Sequence, residues 1–134
     1  MFAGESRGTV CESRVTLPKW LRADLPDDSL VLCRGLGGCL LLFAAQGYAS
    51  YLEQLLDIGP EKDTRNIRRF FEAAAVEVKP DVRGRVYIPR VLLEYAGLHS
   101  EVLWRGASDH VEMWSPDRAM SVPPGHTGAV RPRQ

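Results

Sequence analysis

The chain has 134 residues, 45% hydrophobic and 25% charged, an ordinary globular balance for one compact domain or two fused half-domains. Seventeen basic residues offset seventeen acidic ones, which excludes a nucleic-acid binder held by bulk positive charge and leaves any such binding to local patches. The longest apolar run, around Leu40 to Ala45, falls far short of the roughly 20 residues of a membrane helix, and no basic-then-apolar leader opens the chain; a cytosolic protein with no membrane partner is expected.

An internal repeat organises the rest. Shifting the sequence by 71 positions aligns Arg14-Val15 with Arg85-Val86, Pro18 with Pro89, Leu21 with Leu92 and Ser29 with Ser100. It continues without a gap to Val31-Leu32 over Val102-Leu103 and Arg34-Gly35 over Arg105-Gly106. Nine identities in 22 positions exceed the one or two expected by chance and mark two homologous halves.

In chain order, Val15 and Leu17 alternate with Arg14 and Thr16, which predicts a strand with one buried face and the arginine on the other. Pro18 then opens a short helix to Asp24 at its first position. Val31 to Cys33 and Leu40 to Phe43 flank glycines and predict a hairpin. Two amphipathic helices follow. Ala44 to Asp57 carries a stripe of Tyr48, Leu52, Leu55 and Leu56, and Glu61 to Ala75 carries Ile67, Phe70, Phe71 and Ala74, with Gly59-Pro60 between them. The second half repeats the scheme: a strand at Val86 and Ile88, a helix from Pro89 to Tyr95 ended by Gly97, and a hairpin of Val102 to Trp104 and Val111 to Trp114. Ser115-Pro116-Asp117 starts a brief last helix, and the Pro- and Gly-rich residues from Ser121 predict a disordered tail. The domain expectation is a first half over 1–58, a second over 59–120 and a tail over 121–134.

Positive charge gathers at Arg65, Arg68 and Arg69, at Lys79, Arg83, Arg85 and Arg90, and more weakly at Arg7, Arg14, Lys19 and Arg22. The most informative segment is Asp81-Val82-Arg83-Gly84-Arg85. Its glycine permits a tight turn and its two guanidinium forks suit phosphate or guanine. Asp81 can pair with Arg85 across the turn, and two readings fit that pair: it aims the fork for a bidentate contact, or it is an ion pair that only stabilises the turn.

These motifs closely resemble the MraZ family. The likeness rests on Met1-Phe2-x-Gly4-Glu5, the two strand-proline motifs, Arg34-Gly35-x-x-Gly38-Cys39-Leu40, Arg68-x-Phe70-Phe71, Asp81-x-x-Gly84-Arg85-x-x-Ile88-Pro89, Tyr95-Ala96-Gly97-Leu98 and Glu112-Met113-Trp114. It runs from Met1 to about Arg118. The resemblance implies an α+β, β-rich fold of two tandem AbrB-like swapped-hairpin barrel halves with intervening amphipathic helices. It implies a ring-forming transcriptional regulator in the cytoplasm and on the nucleoid. Its partner would be double-stranded DNA, at short direct repeats upstream of its own operon in the division and cell-wall gene cluster. An Asp-x-x-x-Arg motif in each half is the family signature.

The first half departs from that signature. It reads Val10-Cys11-Glu12-Ser13-Arg14, with Val10 or Cys11 in the aspartate's place and Ser13 in the glycine's. The arginine stays while its orienting carboxylate is gone. Arg14 and Arg85 are therefore the expected principal DNA contacts, supported by Arg7, Ser13, Lys79 and Arg83, with Asp81 as the orienting residue.

Other features read two ways. Arg65, Arg68 and Arg69 form a solvated helix face or add phosphate contacts; Tyr87 packs across strands or stacks on DNA. Trp20 and Leu41 are expected to be buried between protomers, and the apolar stripes of the long helices argue for assembly on the same ground. The glycines after Arg34 lack the Lys-Ser/Thr of a phosphate loop and read as a hairpin turn. The three cysteines have no paired spacing and read as buried or half-buried free thiols; neither zinc nor a disulfide nor any cofactor is expected. Scattered histidines and the lack of a nucleophile beside a base argue against an enzyme. The competing class is an oligomeric protein-interaction or scaffold module that has lost DNA binding along with its first aspartate.

Overall fold

A computed structural model describes residues 4–23, 25, 29–56 and 61–120. The predicted tail, the Gly59-Pro60 break and the side chains of Leu55 and Leu56 lie outside the described residues. The strands are β1 (Glu5–Cys11), β2 (Arg14–Thr16), β3 (Leu30–Arg34), β4 (Leu40–Ala44), β5 (Val76–Val78), β6 (Arg85–Tyr87), β7 (Glu101–Gly106) and β8 (Val111–Trp114). They form one antiparallel sheet in the order β5-β3-β4-β8-β7-β1-β2-β6. Its two ends meet at the turn between β5 and β6, where the Asp81 N–H donates to Arg85 O at 2.8 Å, so the sheet curls into a near-barrel. The helices are α1 (Lys19–Arg22), α2 (Ala45–Leu56), α3 (Glu61–Ala73), α4 (Arg90–Ala96) and α5 (Pro116–Met120).

The halves exchange strands. The outer strand β1 of the first half pairs with the β7–β8 hairpin of the second, and β5 of the second half pairs with the β3–β4 hairpin of the first. Where the halves meet on an axis, residues face their own repeat equivalents. Val15 pairs with Val86 in β2–β6, and Leu41 with Glu112 in β4–β8. The turns obey the same pseudo-twofold: Leu17 N–H donates to Gly84 O at 2.9 Å, and Ile88 N–H donates to Ser13 O at 2.8 Å. This is the expected β-rich architecture of tandem swapped-hairpin halves.

Two apolar layers result. Inside the barrel lie Val15, Leu30, Leu32, Leu40, Leu42, Val86, Val102, Trp104, Val111 and Met113. On the outer face of β3, β4 and β8, the helices cover Cys33, Leu41, Phe43 and Trp114 with Tyr51, Leu52, Phe71 and Ala119. Strands β3, β4 and β8 are therefore buried on both faces, the pattern of a doubly covered sheet. Strands β1, β2 and β6 alternate, with one face left to solvent.

Two expectations need correction. Leu41 is fully buried beneath the chain's own helices and so is not left for burial between protomers; Trp20 is half-buried over Gly4, with Nε1 donating to Ser6 Oγ at 3.1 Å. Within the predicted stripes of α2 and α3, Leu52 and Phe71 are buried on this chain's sheet, while Tyr48, Ile67 and Phe70 are half-buried against it. Pro18 and Pro89 cap their helices at φ −60°, ψ 151° and φ −57°, ψ 146°, one residue before the first helical position. Gly97 does terminate α4, at φ +65°.

Strand β1 carries no strong signal in the sequence. The half-buried positions of β1 are Ser6, Gly8 and Val10, because Trp104 already fills the space above Gly8, 3.2 Å from where a Cβ would stand. Small residues are what that crowding demands, and small residues hide the alternation.

Candidate nucleic-acid interface

The bare outer face of β1, β2 and β6 collects most of the residues singled out from sequence. Register sets Cys11 beside Arg14, Arg14 beside Tyr87 and Thr16 beside Arg85. Val15 and Val86 point into the barrel, so Arg14, Thr16, Arg85 and Tyr87 point out together. Arg7 alternates onto the same face of β1 and makes only a loose exposed pair with Glu101 at 3.9 Å. Lys79 and Arg83 are exposed around the second turn. Ser13 stands in the first turn.

The second turn is tightly built. Asp81 Oδ1 accepts the backbone N–H groups of Arg83 and Arg85, each at 2.9 Å, and Oδ2 accepts Arg85 Nε at 2.9 Å. The Arg85 backbone N–H, followed by the Arg85 side chain and the Arg83 N–H, holds the Asp81 carboxyl below the usual carboxylate range against a smaller desolvation penalty. Gly84 adopts φ +78°, which a side chain would make costly. The ion pair uses only Nε of Arg85; its two Nη groups have no partner among the described residues. A fork gripped from one side and open on the other satisfies both readings of the pair, since it braces the turn and aims the arginine.

The first turn is different in length and chemistry. Cys11 and Arg14 flank a two-residue turn, with Glu12 at φ +52° and Ser13 at φ +64°, the left-handed pair of a type I′ hairpin. Cys11 thus occupies the place of Asp81, and Ser13 that of Gly84. Val10 N–H donates to Ser100 O at 2.9 Å, and continuing the β3–β5 register by one residue sets Lys79 opposite Ser29, the repeat equivalent of Ser100. Lys79 to Arg85 therefore does the work of Val10 to Arg14, with two more residues. The extra length is what makes room for the carboxylate cradle. Among the described residues neither Glu12 nor any other carboxylate reaches Arg14.

Several motif residues prove to be structural. Arg34 Nη2 donates to Phe70 O at 2.7 Å, and its guanidinium lies 4.5 Å from the Phe70 ring centroid. Tyr95 OH donates to Gly35 O at 2.6 Å, and Arg118 Nη1 donates to Gly38 O at 2.9 Å and Tyr95 O at 2.8 Å. The glycine-rich β3–β4 turn is thereby locked to α3, α4 and α5. Arg65, Arg68 and Arg69 are exposed on α3, away from the bare face, and Arg68 pairs with Glu72 at 3.0 Å. Cys33 and Cys39 are buried as expected and burial pushes the Cys33 thiol up to about 12; Cys11 is exposed, contrary to expectation, because it alternates onto the bare face. His110 is buried and meets the Asp109 carboxylate, Nδ1 to Oδ1 2.7 Å, a neighbour contact that spacing alone did not suggest. No group of potential metal ligands occurs among the described residues. The sequence set Arg22 in the weaker basic cluster with Arg7, Arg14 and Lys19; the fold brings its guanidinium against Gly84 of the second turn, which nothing local in the sequence signals.

A duplicated swapped-hairpin barrel with arginine-bearing turns on its bare face defines an AbrB-like protein of two tandem units. A family model described as "MraZ protein, putative antitoxin-like" matches residues 1–70 and 71–118. The chain is similar to proteins named "Transcriptional regulator MraZ" from Lachnoclostridium phytofermentans (31% identical, covering 88% of this chain and 84% of the relative), Acetivibrio thermocellus (37%, 85% and 80%) and Lactiplantibacillus plantarum (38%, 85% and 82%). This chain belongs to the MraZ family, whose named members here are regulators and not enzymes.

Proposed function

We propose that this protein is a transcriptional regulator that binds double-stranded DNA through the bare face of β1, β2 and β6. The single observation that carries the reading is the alignment of Arg14 and Arg85 on adjacent strands, both outward, with Asp81 bracing Arg85. Overall neutrality does not oppose it, because Arg7, Arg14, Lys79, Arg83 and Arg85 concentrate positive charge at one end of the molecule. Arg85 reads bases; Arg14, Arg7, Lys79 and Arg83 neutralise phosphate; Ser13 supplies a small turn residue that lets the backbone approach. The site is the set of short direct repeats upstream of the protein's own operon, within the division and cell-wall gene cluster, and the protein acts on the nucleoid. Assembly into a ring is supported by family membership.

Fluorescence anisotropy with the upstream duplex and a scrambled one, at about 50 and about 200 mM salt, tests the reading. Roughly six phosphate contacts give a fall in affinity of about a thousandfold over that range, with the cognate duplex preferred. Equal, weak binding to both duplexes would favour the scaffold alternative. Light scattering that returned a monomer at every concentration would remove the ring.

A further inference from the structure

Arg22 is the last residue of α1, in the first half, and its guanidinium lies against the turn of the second half. A Cβ built on Gly84 would stand 2.6 Å from Arg22 Cζ and 2.8 Å from Nε and Nη1. The arginine therefore occupies the space that any other residue at position 84 would need. Its seat is fixed from both sides: Leu17, just before Pro18 and α1, donates its N–H to Gly84 O at 2.9 Å, and Gly84 N–H donates to Asp81 O at 2.9 Å.

Arg22 is exposed, and among the described residues no carboxylate neutralises it. The acid of this turn, Asp81, is already engaged by Arg85 Nε and two backbone N–H groups. Among the described residues, Arg22, Arg83 and Arg85 thus crowd one short turn with a single carboxylate, an arrangement that an arriving anion would relieve. The repeat equivalent of Arg22 is Leu93, which packs against the barrel core. The first turn consequently receives no such arginine and carries the exposed Glu12 instead.

We propose that Arg22 is a DNA-contacting residue, a phosphate clamp seated on Gly84, so that the DNA-reading head at the second turn is built from both halves of the chain. The proposal rests on the DNA-binding reading above and adds to it that each chain has one complete head, not two equal ones. A phosphate contact positions the protein without reading sequence. Loss of Arg22 should lower affinity for every duplex alike.

The test is anisotropy of the full chain against the upstream duplex and a scrambled one across about 50 to 200 mM salt, comparing wild type, Arg22→Gln, Arg22→Met and Arg85→Ala. Arg22→Met keeps an unbranched apolar side chain that reaches about as far as Nε and removes the guanidinium with its charge and donors, so it serves if Arg22→Gln melts early. The expected result is about tenfold weaker binding to both duplexes, an unchanged preference between them and a salt slope flatter by about one. If Arg85→Ala weakens binding while a folded Arg22→Met keeps wild-type affinity and slope, Arg22 is only a spacer for the turn and the proposal falls alone. If wild type fails to bind the upstream duplex at all, the DNA-binding reading falls and takes the proposal with it.

Discussion

The two arginines of the bare face should fail in different ways when removed. Arg85 is held through Nε at 2.9 Å from Asp81, whose other oxygen is fixed by two backbone N–H groups. Its fork is ordered before DNA arrives, which spares most of the roughly 0.5 to 1.5 kcal/mol that immobilising a long side chain costs. Arg14 stands on β2 with no carboxylate near it among the described residues, on a turn two residues shorter. It can neutralise a phosphate, which needs charge more than aim.

A bidentate guanine contact discriminates by about 1 to 3 kcal/mol, so Arg85→Ala should weaken cognate binding by about 5- to 150-fold per engaged site and relax sequence preference. Arg14→Ala should weaken cognate and scrambled duplexes about equally and flatten the salt slope by about one. Asp81→Asn should follow Arg85→Ala more mildly, because an amide oxygen can still accept the turn's N–H groups while the charge that grips the guanidinium is gone. Anisotropy titrations at matched salt measure all three. The reasoning is refuted if Arg14→Ala abolishes discrimination and Arg85→Ala leaves it intact.

Three further outcomes bear on the fold that carries the site. Leu41→Ala should destabilise the chain by about 2 to 5 kcal/mol in urea denaturation, since Leu41 is fully buried under its own helices; a loss of assembly with unchanged stability would instead return it to an interface between protomers. Replacing Glu12-Ser13 by Asn-Gly should raise stability by about 1 to 2 kcal/mol, because both residues sit at positive φ, and a lower melting temperature would contradict the turn assignment. The Asp81 carboxyl is held below its ordinary value in the folded chain. Its stabilising contribution is therefore complete above the unfolded pKa of about 3.9 and disappears as pH falls through the lower folded value. The stability difference between wild type and Asp81→Asn should be flat from about pH 5 to 7 and shrink below about pH 4; a difference that persists at about pH 2 would mean the ion pair is not its source.

Much of the fold was legible because the strand-proline motif and the hairpins repeat at a fixed interval, and period-two patterning put Val15 and Val86 inside and Arg14 and Arg85 outside. What escaped was everything set by a neighbour distant in sequence. Strand β1 shows no apolar alternation because Trp104 dictates small residues opposite it, and Leu41 reads as a contact between protomers because nothing local announces that α2 and α3 fold back over it. The Asp81–Arg85 pair of the second turn was readable, since it spans four residues; the two backbone N–H groups that Asp81 also accepts were not. Arg22 was not, because its partner lies in the other half.

Fusing the two units into one chain explains how the turns could become unlike without loss of the barrel. In a pair of identical units, residues on the axis must tolerate their own copies. Val15 against Val86 still meets that condition. Leu41 against Glu112 does not: two glutamates facing each other across the sheet would repel, whereas here the buried Glu112 faces a leucine and accepts the Trp114 Nε1–H at 2.9 Å. The same release from self-complementarity operates off the axis, where the long α2 and α3 cover one side and the short α5 the other. Once the two sides need not match, one turn can keep an aspartate, a glycine and a borrowed arginine while the other shortens to a type I′ hairpin. The backbone clamps from Leu17 to Gly84 and from Ile88 to Ser13 survive in both, because a peptide carbonyl is indifferent to the side chain it carries.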